Sequence, residues 1–577
     1  MLGDGFLEYI FTMGILISVI GLVIGIIKDR KNIGKTLSES GFVKQDLIIL
    51  FVILLVFSFI ELYFVHPTQL LFFDDDIYQA MAVMLLHTGQ AWMCNFGTPT
   101  TCLQGQVFHE PIGLSFNFAI AFAIFGVSRA AAWNTEFVLG LLSVFMIFFA
   151  SLLLLKNKKA AFFAALLLAL SPVLLVWARP TNSDVAVLAY SLIFVFFLMV
   201  FLKKKNMWSF SNMLFSFSLL FYMKVDEVFF IPVFIAFYLL LEEKGIIKAI
   251  QNGWKHVKNN IWNTKLLIVV LFFIIAIVPS ILYSYNESQT DGYGWQGTVI
   301  QQTCSPKMPS FMVNGSINLQ NFKANICANV FFWFNQYKSN YVMQPVVFTV
   351  LAILGAVMML MIPKKRRVLG AIGIWFLVFF LLYAAFYAGS VNYGVDWRFM
   401  LSLVAQASIL GGFAAAEIVD LVAVGFKKLS KNILLVKGIM IAVLVGLIFA
   451  PIYALMPLIS VSPAAIQQAG DARFYEGFVY NNSAAIPSGC LVYSYDPTLF
   501  QLINRTSTQM DNLYNSTQEK QYNHEYSCLI LDYGYWCHTP NNECTYANSS
   551  YNLVPIVTGT YNALNYNYGF YYIKNKS

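Results

Sequence analysis

Apolar runs of about 18 or more residues recur along most of this chain, each long enough to cross a hydrocarbon core of roughly 30 Å as a helix. Inside lipid a span must satisfy its own backbone hydrogen bonds, so such runs fold as helices. Composition points the same way: 58% of the 577 residues are hydrophobic and 11% charged, against roughly 45–50% and about 25% in soluble domains. The expected fold class is an all-α polytopic membrane protein of about 12 transmembrane helices with outer juxtamembrane helices, followed by a small C-terminal extracytoplasmic α/β domain. Most soluble enzyme classes are excluded. The formal net charge of +7 is an average over two compartments and says nothing for nucleic-acid binding.

The twelve expected spans lie near residues 6–27, 47–65, 131–155, 160–178, 185–202, 207–222, 228–241, 264–283, 345–362, 368–388, 399–424 and 433–456. The first is not expected to be a cleaved signal peptide, because Asp4 and Glu8 stand where a basic n-region would and Lys28, Arg30 and Lys31 follow it. Basic clusters fall in alternate loops: Lys28–Lys44, Lys156–Lys159, Lys203–Lys205, Lys244–Lys265, Lys364–Arg367 and Lys427–Lys437. The positive-inside rule makes those loops cytoplasmic and puts both termini outside. Assigning each charge to its nearer face gives 24 Lys and Arg against 7 Asp and Glu inside, a balance of +17. The outside holds 12 against 22, a balance of −10, and the two restore the total of +7.

All eight cysteines fall in outside segments, where disulfides persist. Cys94 with Cys102 and Cys304 with Cys327 are the natural staples, while Cys490, Cys528, Cys537 and Cys544 allow three connectivities. The sequons at Asn286, Asn314, Asn481, Asn504, Asn515, Asn548 and Asn575 are also outside. A span over residues 112–127 would invert this parity, so that stretch is expected to lie as a juxtamembrane or re-entrant helix on the outer face.

Three divisions follow: residues 1–46, an extra N-terminal helix and cytoplasmic loop; 47–456, the membrane domain with outer loops 66–130 and 284–344; and 457–577, the disulfide-linked outer domain. In the last, Cys490–Tyr495 and Cys528–Asp532 read as strands and Pro497–Asn504 as a helix. Gly292-Tyr-Gly-Trp-Gln-Gly297 has dinucleotide-site spacing but follows a membrane helix instead of a strand, so it is set aside. Lys364-Lys-Arg-Arg367 is a topology signal.

Chemistry must come from the few polar residues outside. Asp74-Asp-Asp76 packs three carboxylates in succession; their repulsion raises the pKa of at least one, which suits a general base or a cation site. They also suit the N-terminal turn of a helix over Ile77–His87. Asp184 closes the short loop Arg179-Pro-Thr-Asn-Ser-Asp184 and could be the N-cap of the next helix. The topology sets it on the same face as Asp74, Asp75 and Asp76. His109-Glu-Pro111 lies between them, and His109 and Glu110 could ligate a divalent cation or bind a sugar hydroxyl. Arg129, Arg179, Lys224 and Arg398 are the basic residues nearest the bilayer on that face, placed either to bind a lipid phosphate or to snorkel.

The order of these features resembles the C-type glycosyltransferase (GT-C) superfamily, in its protein O-mannosyltransferase and aminoarabinose-transferase branch. Asp74-Asp-Asp-Ile-Tyr78 resembles the acidic first-loop motif. His109-Glu-Pro111, Phe125-Gly-Val-Ser128 with Arg129, Ala169-Leu-Ser-Pro172 and the loop ending in Asp184 follow in the same order. The likeness covers roughly residues 47–460, with its motifs at about 70–202. His-Glu-Pro stands where relatives have Lys-Pro-Pro or His-Pro-Pro, and the helix at 6–27 is extra. Oligosaccharyltransferases share the superfamily but carry Trp-Trp-Asp-x-Gly, of which Asp532-Tyr-Gly534 is a faint echo.

The resemblance implies an inverting transfer of a hexosyl or pentosyl group from a polyprenyl (dolichyl)-phosphate donor to a protein or lipid/glycan acceptor on the non-cytoplasmic face. Asp74, Asp75 and Asp184 would be catalytic, with Asp76, Tyr78, His109, Glu110, Arg129, Lys224 and Arg398 binding substrate. Whether a divalent metal ion takes part is left open, its candidate ligands being Asp74, His109, Glu110 and Asp184. The expected setting is an archaeal or bacterial plasma membrane or the endoplasmic reticulum. The rival from another class is a lipid or small-solute transporter or flippase; the near absence of ionisable residues within the spans weighs against it.

Overall fold

Along the long apolar runs among its described residues, the backbone of this computed structural model is helical. It describes residues 4–65, 72–106, 112–241, 264–290, 312–313, 316–317, 344–385, 395–425, 438–453, 467–514 and 525–575, apart from 91, 99–100, 535–536, 538–541 and 562–565. Among them six helices are long and apolar enough to cross a membrane: Tyr9–Glu39, Asp46–Tyr63, Arg129–Leu155, Ser183–Lys204, Pro363–Tyr383 and Arg398–Val424. Five apolar helices are shorter: Gly113–Phe125, Glu227–Leu241, Leu267–Leu282, Val346–Met361 and Gly438–Tyr453. The chain forms two units, residues 13–67 with 136–462, and residues 1–12 with 68–135 and 463–577.

The first of these is helical along its described apolar runs. It includes most of α1 (Asp4–Glu39), α2 (Asp46–Tyr63), and, beyond the third and fourth helices, most of α5 (Arg129–Leu155). Then come α6 (Lys158–Ala169), α7 (Pro172–Trp177), α8 (Ser183–Lys204), α9 (Met207–Met223) and α10 (Phe230–Leu241). The expected single span at 160–178 is two helices. Ser171, held extended before Pro172 at φ −68° and ψ 118°, cannot continue α6, since proline disfavours helical geometry in the residue before it.

Charges collect at one set of helix ends. Lys158 pairs with Asp46 at 3.3 Å, Lys159 with Asp420 at 2.5 Å and Lys204 with Glu39 at 2.9 Å, and Lys203 donates to Ser40 at 2.8 Å. These are the ends that the basic clusters mark in the sequence. A second polar cluster, described below, occupies the opposite ends of α2, α8 and α9.

The other unit combines first-loop elements with the C-terminal sequence. From the loop come α3 (Phe72–Thr88), strands β1 (Met93–Thr98) and β2 (Thr101–Gln106), and α4 (Gly113–Phe125). Helix α4 has 13 residues, fewer than the roughly 20 a span needs. The C-terminal part contains a helix at Gln467–Asn482 and strands β3 (Cys490–Ser494), β4 (Thr506–Gln509), β5 (Cys528–Tyr533), β6 (Tyr551–Tyr561) and β7 (Tyr566–Asn575). A short helix, Pro497–Leu502, joins β3 to β4. The strands expected at Cys490 and Cys528 and the helix expected at Pro497 are thus present, each shorter by a residue or two or longer by one.

One seven-stranded sheet runs β2-β1-β4-β3-β5-β7-β6. Its centre is parallel, β3 lying between β4 and β5. Every residue of β3 is buried, as expected for a parallel strand covered on both faces. Leu491, Val492, Leu499, Phe500, Ile530, Leu531 and Phe570 form the core around it. Pro555 sits in β6, an edge strand, beside a register shift in its pairing with β7, where its missing donor costs least.

The seven-stranded sheet takes strands from both sides of the division expected at residue 457. Hairpin β1–β2, from residues 93–106, completes the sheet by pairing Phe96 with Thr508 and Gly97 with Ser507. A two-stranded hairpin is marginal in water on its own, and pairing between residues so far apart in sequence leaves no local signal. Cys94–Cys102 staples the hairpin. The four later cysteines resolve as Cys490–Cys528, across neighbouring strands β3 and β5, and Cys537–Cys544. Cys304 and Cys327 lie outside the described residues.

Candidate active-site residues

In the helical unit, the polar cluster is built on the turn between α7 and α8. Asn182, extended at φ −158° and ψ 148°, caps α8 by accepting from the backbone N–H groups of Asp184 (3.2 Å) and Val185 (3.3 Å). Its amide donates back to Trp177 O at 2.9 Å and Pro180 O at 2.7 Å, and Glu136 accepts from its backbone N–H at 3.0 Å. The cap expected of Asp184 therefore belongs to Asn182. Asp184 stands in the first helical turn with its carboxylate turned to side-chain partners.

Those partners are two cations. Lys224 Nζ donates to Asp184 Oδ1 at 3.1 Å, and Arg398 Nε lies 3.2 Å from Asp184 Oδ2. Lys224 is placed by the end of α9, where its own extended backbone starts a 3-10 helix at Val225–Phe229. Arg398 comes from another 3-10 helix, Val395–Met400. The ring of Phe399 serves both cations, with Lys224 Nζ 4.3 Å and Arg398 Cζ 5.1 Å from its centroid. Tyr383 stacks on Phe399 at 5.9 Å and donates to Ser402 at 2.9 Å, which fixes the ring. All three charged side chains are nearly buried, at 3% exposure for Asp184, 8% for Lys224 and 15% for Arg398. A buried charge without partners would cost several kcal/mol, so the arrangement requires all three.

Glu61, at the end of α2, is fully buried, and among the described residues neither of its carboxyl oxygens has a hydrogen-bond partner. Arg179 Nη1 contacts the Glu61 carbonyl at 3.4 Å. No motif singles out Glu61, or Glu136, in the sequence; a lone acid near the end of an apolar run is the only signal.

In the sheet-bearing unit, α3 carries the acidic run. Asp75, Asp76 and Tyr78 are buried, and Gln79 donates to Asp75 O at 3.0 Å. The carboxyl of Asp76 is hydrogen-bonded to that of Asp496. Asp496 caps the Pro497 helix, accepting from Thr498 Oγ1 at 2.5 Å and Leu499 N at 3.3 Å. Burial first, then the neighbouring Asp76, pushes its pKa well above the carboxylate range. Ser494 Oγ accepts from Asp496 N at 3.0 Å and donates to Asp532 at 2.7 Å; Tyr475 donates to the same Asp532 oxygen. Burial pushes the Asp532 carboxyl up to about 7, against those two hydrogen bonds. Asp532, the faint oligosaccharyltransferase echo, is thus a buried part of the sheet.

Arg129 forms an ion pair with Glu476 and lies between the rings of Trp133 (4.9 Å) and Tyr480 (4.7 Å). Tyr480 is half-buried, and its phenol is pushed up by burial first and then by the charge of Asp76. The phosphate role expected of Arg129 therefore meets a side chain already engaged by a carboxylate. Asp74 stands in the first turn of α3, its side chain outside those described, and His109 and Glu110 lie outside the described residues. Among the described residues no group of three or more His, Cys, Asp and Glu is placed to hold a metal ion. Both oxygens of Asp184 face cations, which does not fit a metal ligand.

Residues 109–283 match the family model described as dolichyl-phosphate-mannose-protein mannosyltransferase. No curated protein matches the sequence. Among solved structures, ArnT from Cupriavidus metallidurans, bound to undecaprenyl phosphate, aligns over 92% of this chain and 98% of its own, at 12% identity and a TM-score of 0.50. The archaeal oligosaccharyltransferase AglB from Archaeoglobus fulgidus, in complex with an inhibitory peptide and a dolichol-phosphate, aligns over 85% of this chain and 69% of its own, at 12% identity and 0.48. Residues 109–283 thus match the model of that family, and the chain shares the overall fold of ArnT.

Proposed function

We propose that the protein is an inverting glycosyltransferase that moves a sugar from a polyprenyl-phosphate donor to an acceptor hydroxyl on the outer face of a membrane. The observation that carries this reading is the buried triad of Asp184, Lys224 and Arg398, in which two cations share one carboxylate. By itself the triad has one positive charge in excess, matching the single negative charge of a phosphodiester-linked sugar. As the glycosidic bond breaks, a second negative charge develops on the departing phosphate. Fixed cations in a water-poor setting stabilise that charge most. Phe399 holds both cations in place before substrate arrives.

The leaving group departs well once its charge is met, so the remaining need is a base for the acceptor. Asp74 fits it: it is the first carboxylate of the run and stands at the N-terminal turn of α3. It would take the acceptor proton during an in-line displacement at the anomeric carbon. Asp75 and Asp76 orient that turn, and Asp184 holds the two cations. Tyr78 is buried on the same helix, while His109 and Glu110 contact the acceptor or the sugar. The donor class is supported by the mannosyltransferase match and by undecaprenyl phosphate in ArnT, and a protein acceptor by the protein-mannosyltransferase description of the matching family. Twelve spans, with both termini outside and residues 47–456 forming the membrane domain, remain our reading of the topology.

Arg398→Ala tests the triad. Titration of purified protein with a polyprenyl-phosphate hexose should show donor affinity falling about 10-fold or more, as expected for loss of a charge-assisted contact. Unchanged affinity would remove Arg398 from the site. Stoichiometric donor binding without any release of lipid phosphate would favour the flippase instead.

A further inference from the structure

We propose that Asp496 is a positioning residue for the transfer: its carboxyl, bonded to that of Asp76, holds the first turn of α3 and so aims Asp74. This rests on the transferase reading above. The first four N–H groups of a helix have no partners within it, so a first turn frays unless something outside fixes it. Here Asp74 and Asp75 stand in that turn, and Asp76 follows it directly as the fifth residue of the helix. Three adjacent carboxylates would spread apart if left in water. Asp76 is instead buried and joined to a second buried carboxyl.

Two carboxyl groups that share a hydrogen bond cannot both be ionised, so one proton lies between them. Asp496 is itself anchored, by Thr498 and Leu499 on one side and by Ser494 through its backbone N–H on the other. Ser494 in turn is tied to Asp532 in the middle of the sheet. The chain of bonds therefore runs from the parallel core of the sheet to the acidic turn. A second tie, the Arg129–Glu476 ion pair with Tyr480 stacked on the guanidinium, fixes the start of α5 to the same C-terminal part.

A bland alternative exists, in which Asp496 only caps the six-residue Pro497 helix. The two roles separate by substitution. Asp496→Ser keeps a good N-cap but is too short to reach Asp76. Asp496→Asn keeps the cap and offers an amide N–H to Asp76 where the shared proton was. With purified full-length protein, Asp496→Ser should lower kcat by about 10- to 100-fold, the scale on which a misplaced catalytic group acts, with KM for the polyprenyl-phosphate sugar within about twofold. Asp496→Asn should recover most of that loss. Hydrogen exchange over residues 72–80 should be faster in the serine variant than in the asparagine one, whatever the turnover.

Equal kcat in the two variants would overturn the positioning role, as would a loss that appears in KM alone. If the wild type shows no transfer while the exchange difference persists, the transferase reading fails and the catalytic role of Asp496 with it. If the wild type transfers but exchange does not differ, the positioning role alone is overturned.

Discussion

At the scale of single residues, the outcome turns on which polar groups are buried with partners and which are buried at a cost. Asp532 is the clearest case. Its folded pKa is about 7, while an unfolded aspartate titrates near 3.9. Between those values the folded state binds more protons, so its contribution to stability is complete below about pH 4 and is lost as pH rises through about 7. A tenfold difference in proton affinity between folded and unfolded states corresponds to about 1.4 kcal/mol. Asp496 is raised in the same direction. Protection of the Cys528–Tyr533 strand against hydrogen exchange, corrected for intrinsic rates, should therefore weaken between pH 5 and pH 8. Asp532→Asn should flatten that slope, and an equal slope in the variant would refute the assignment. The sequence displays Asp184, Lys224 and Arg398 as candidates but not the ring between them. Phe399 is one aromatic among 53 phenylalanines, and only folding shows that it serves both cations.

Among the elements, helices were the legible part and their interruptions less so. A run of apolar residues states its own secondary structure because lipid permits no other; where α6 ends depends on Ser171 taking the extended geometry that Pro172 favours. The acidic run at 74–76 is readable both as a helix N-terminus and as a reactive cluster, and α3 begins at Phe72 to satisfy the first of these. What holds α3 and α5 lies hundreds of residues away and has no local pattern. The Arg129–Glu476 pair is such a tie. Glu476 is 3% exposed, so Arg129→Ala strands a buried carboxylate and should destabilise the sheet-bearing unit by about 3–5 kcal/mol. Arg129→Met combined with Glu476→Leu should recover most of that loss in a denaturation series on the purified protein. If the double variant is as unstable as the single one, the ion pair is not the reason for the burial.

For the whole molecule, the sequence divides by charge and the fold by contact, and the two divisions differ. Positive clusters separate the loops into two sets, and the ion pairs of Lys158, Lys159 and Lys204 do gather at one set of helix ends. The boundary at 457, by contrast, followed from where the last apolar run stops. The sheet ignores it, because β1 and β2 lend their edge from residues 93–106. That borrowing places the acidic helix α3 and the C-terminal strands in one unit, through which Asp496 would act on Asp74 in the proposed transfer. The central claim is sugar transfer with Asp74 as base. Its most direct measurement is release of polyprenyl phosphate from a polyprenyl-phosphate sugar by the purified full-length protein, wild type against Asp74→Asn. A positioned base contributes about 10²–10⁴-fold, so release should fall by at least about 100-fold in the variant while donor binding persists. Near-wild-type release by Asp74→Asn would contradict the claim.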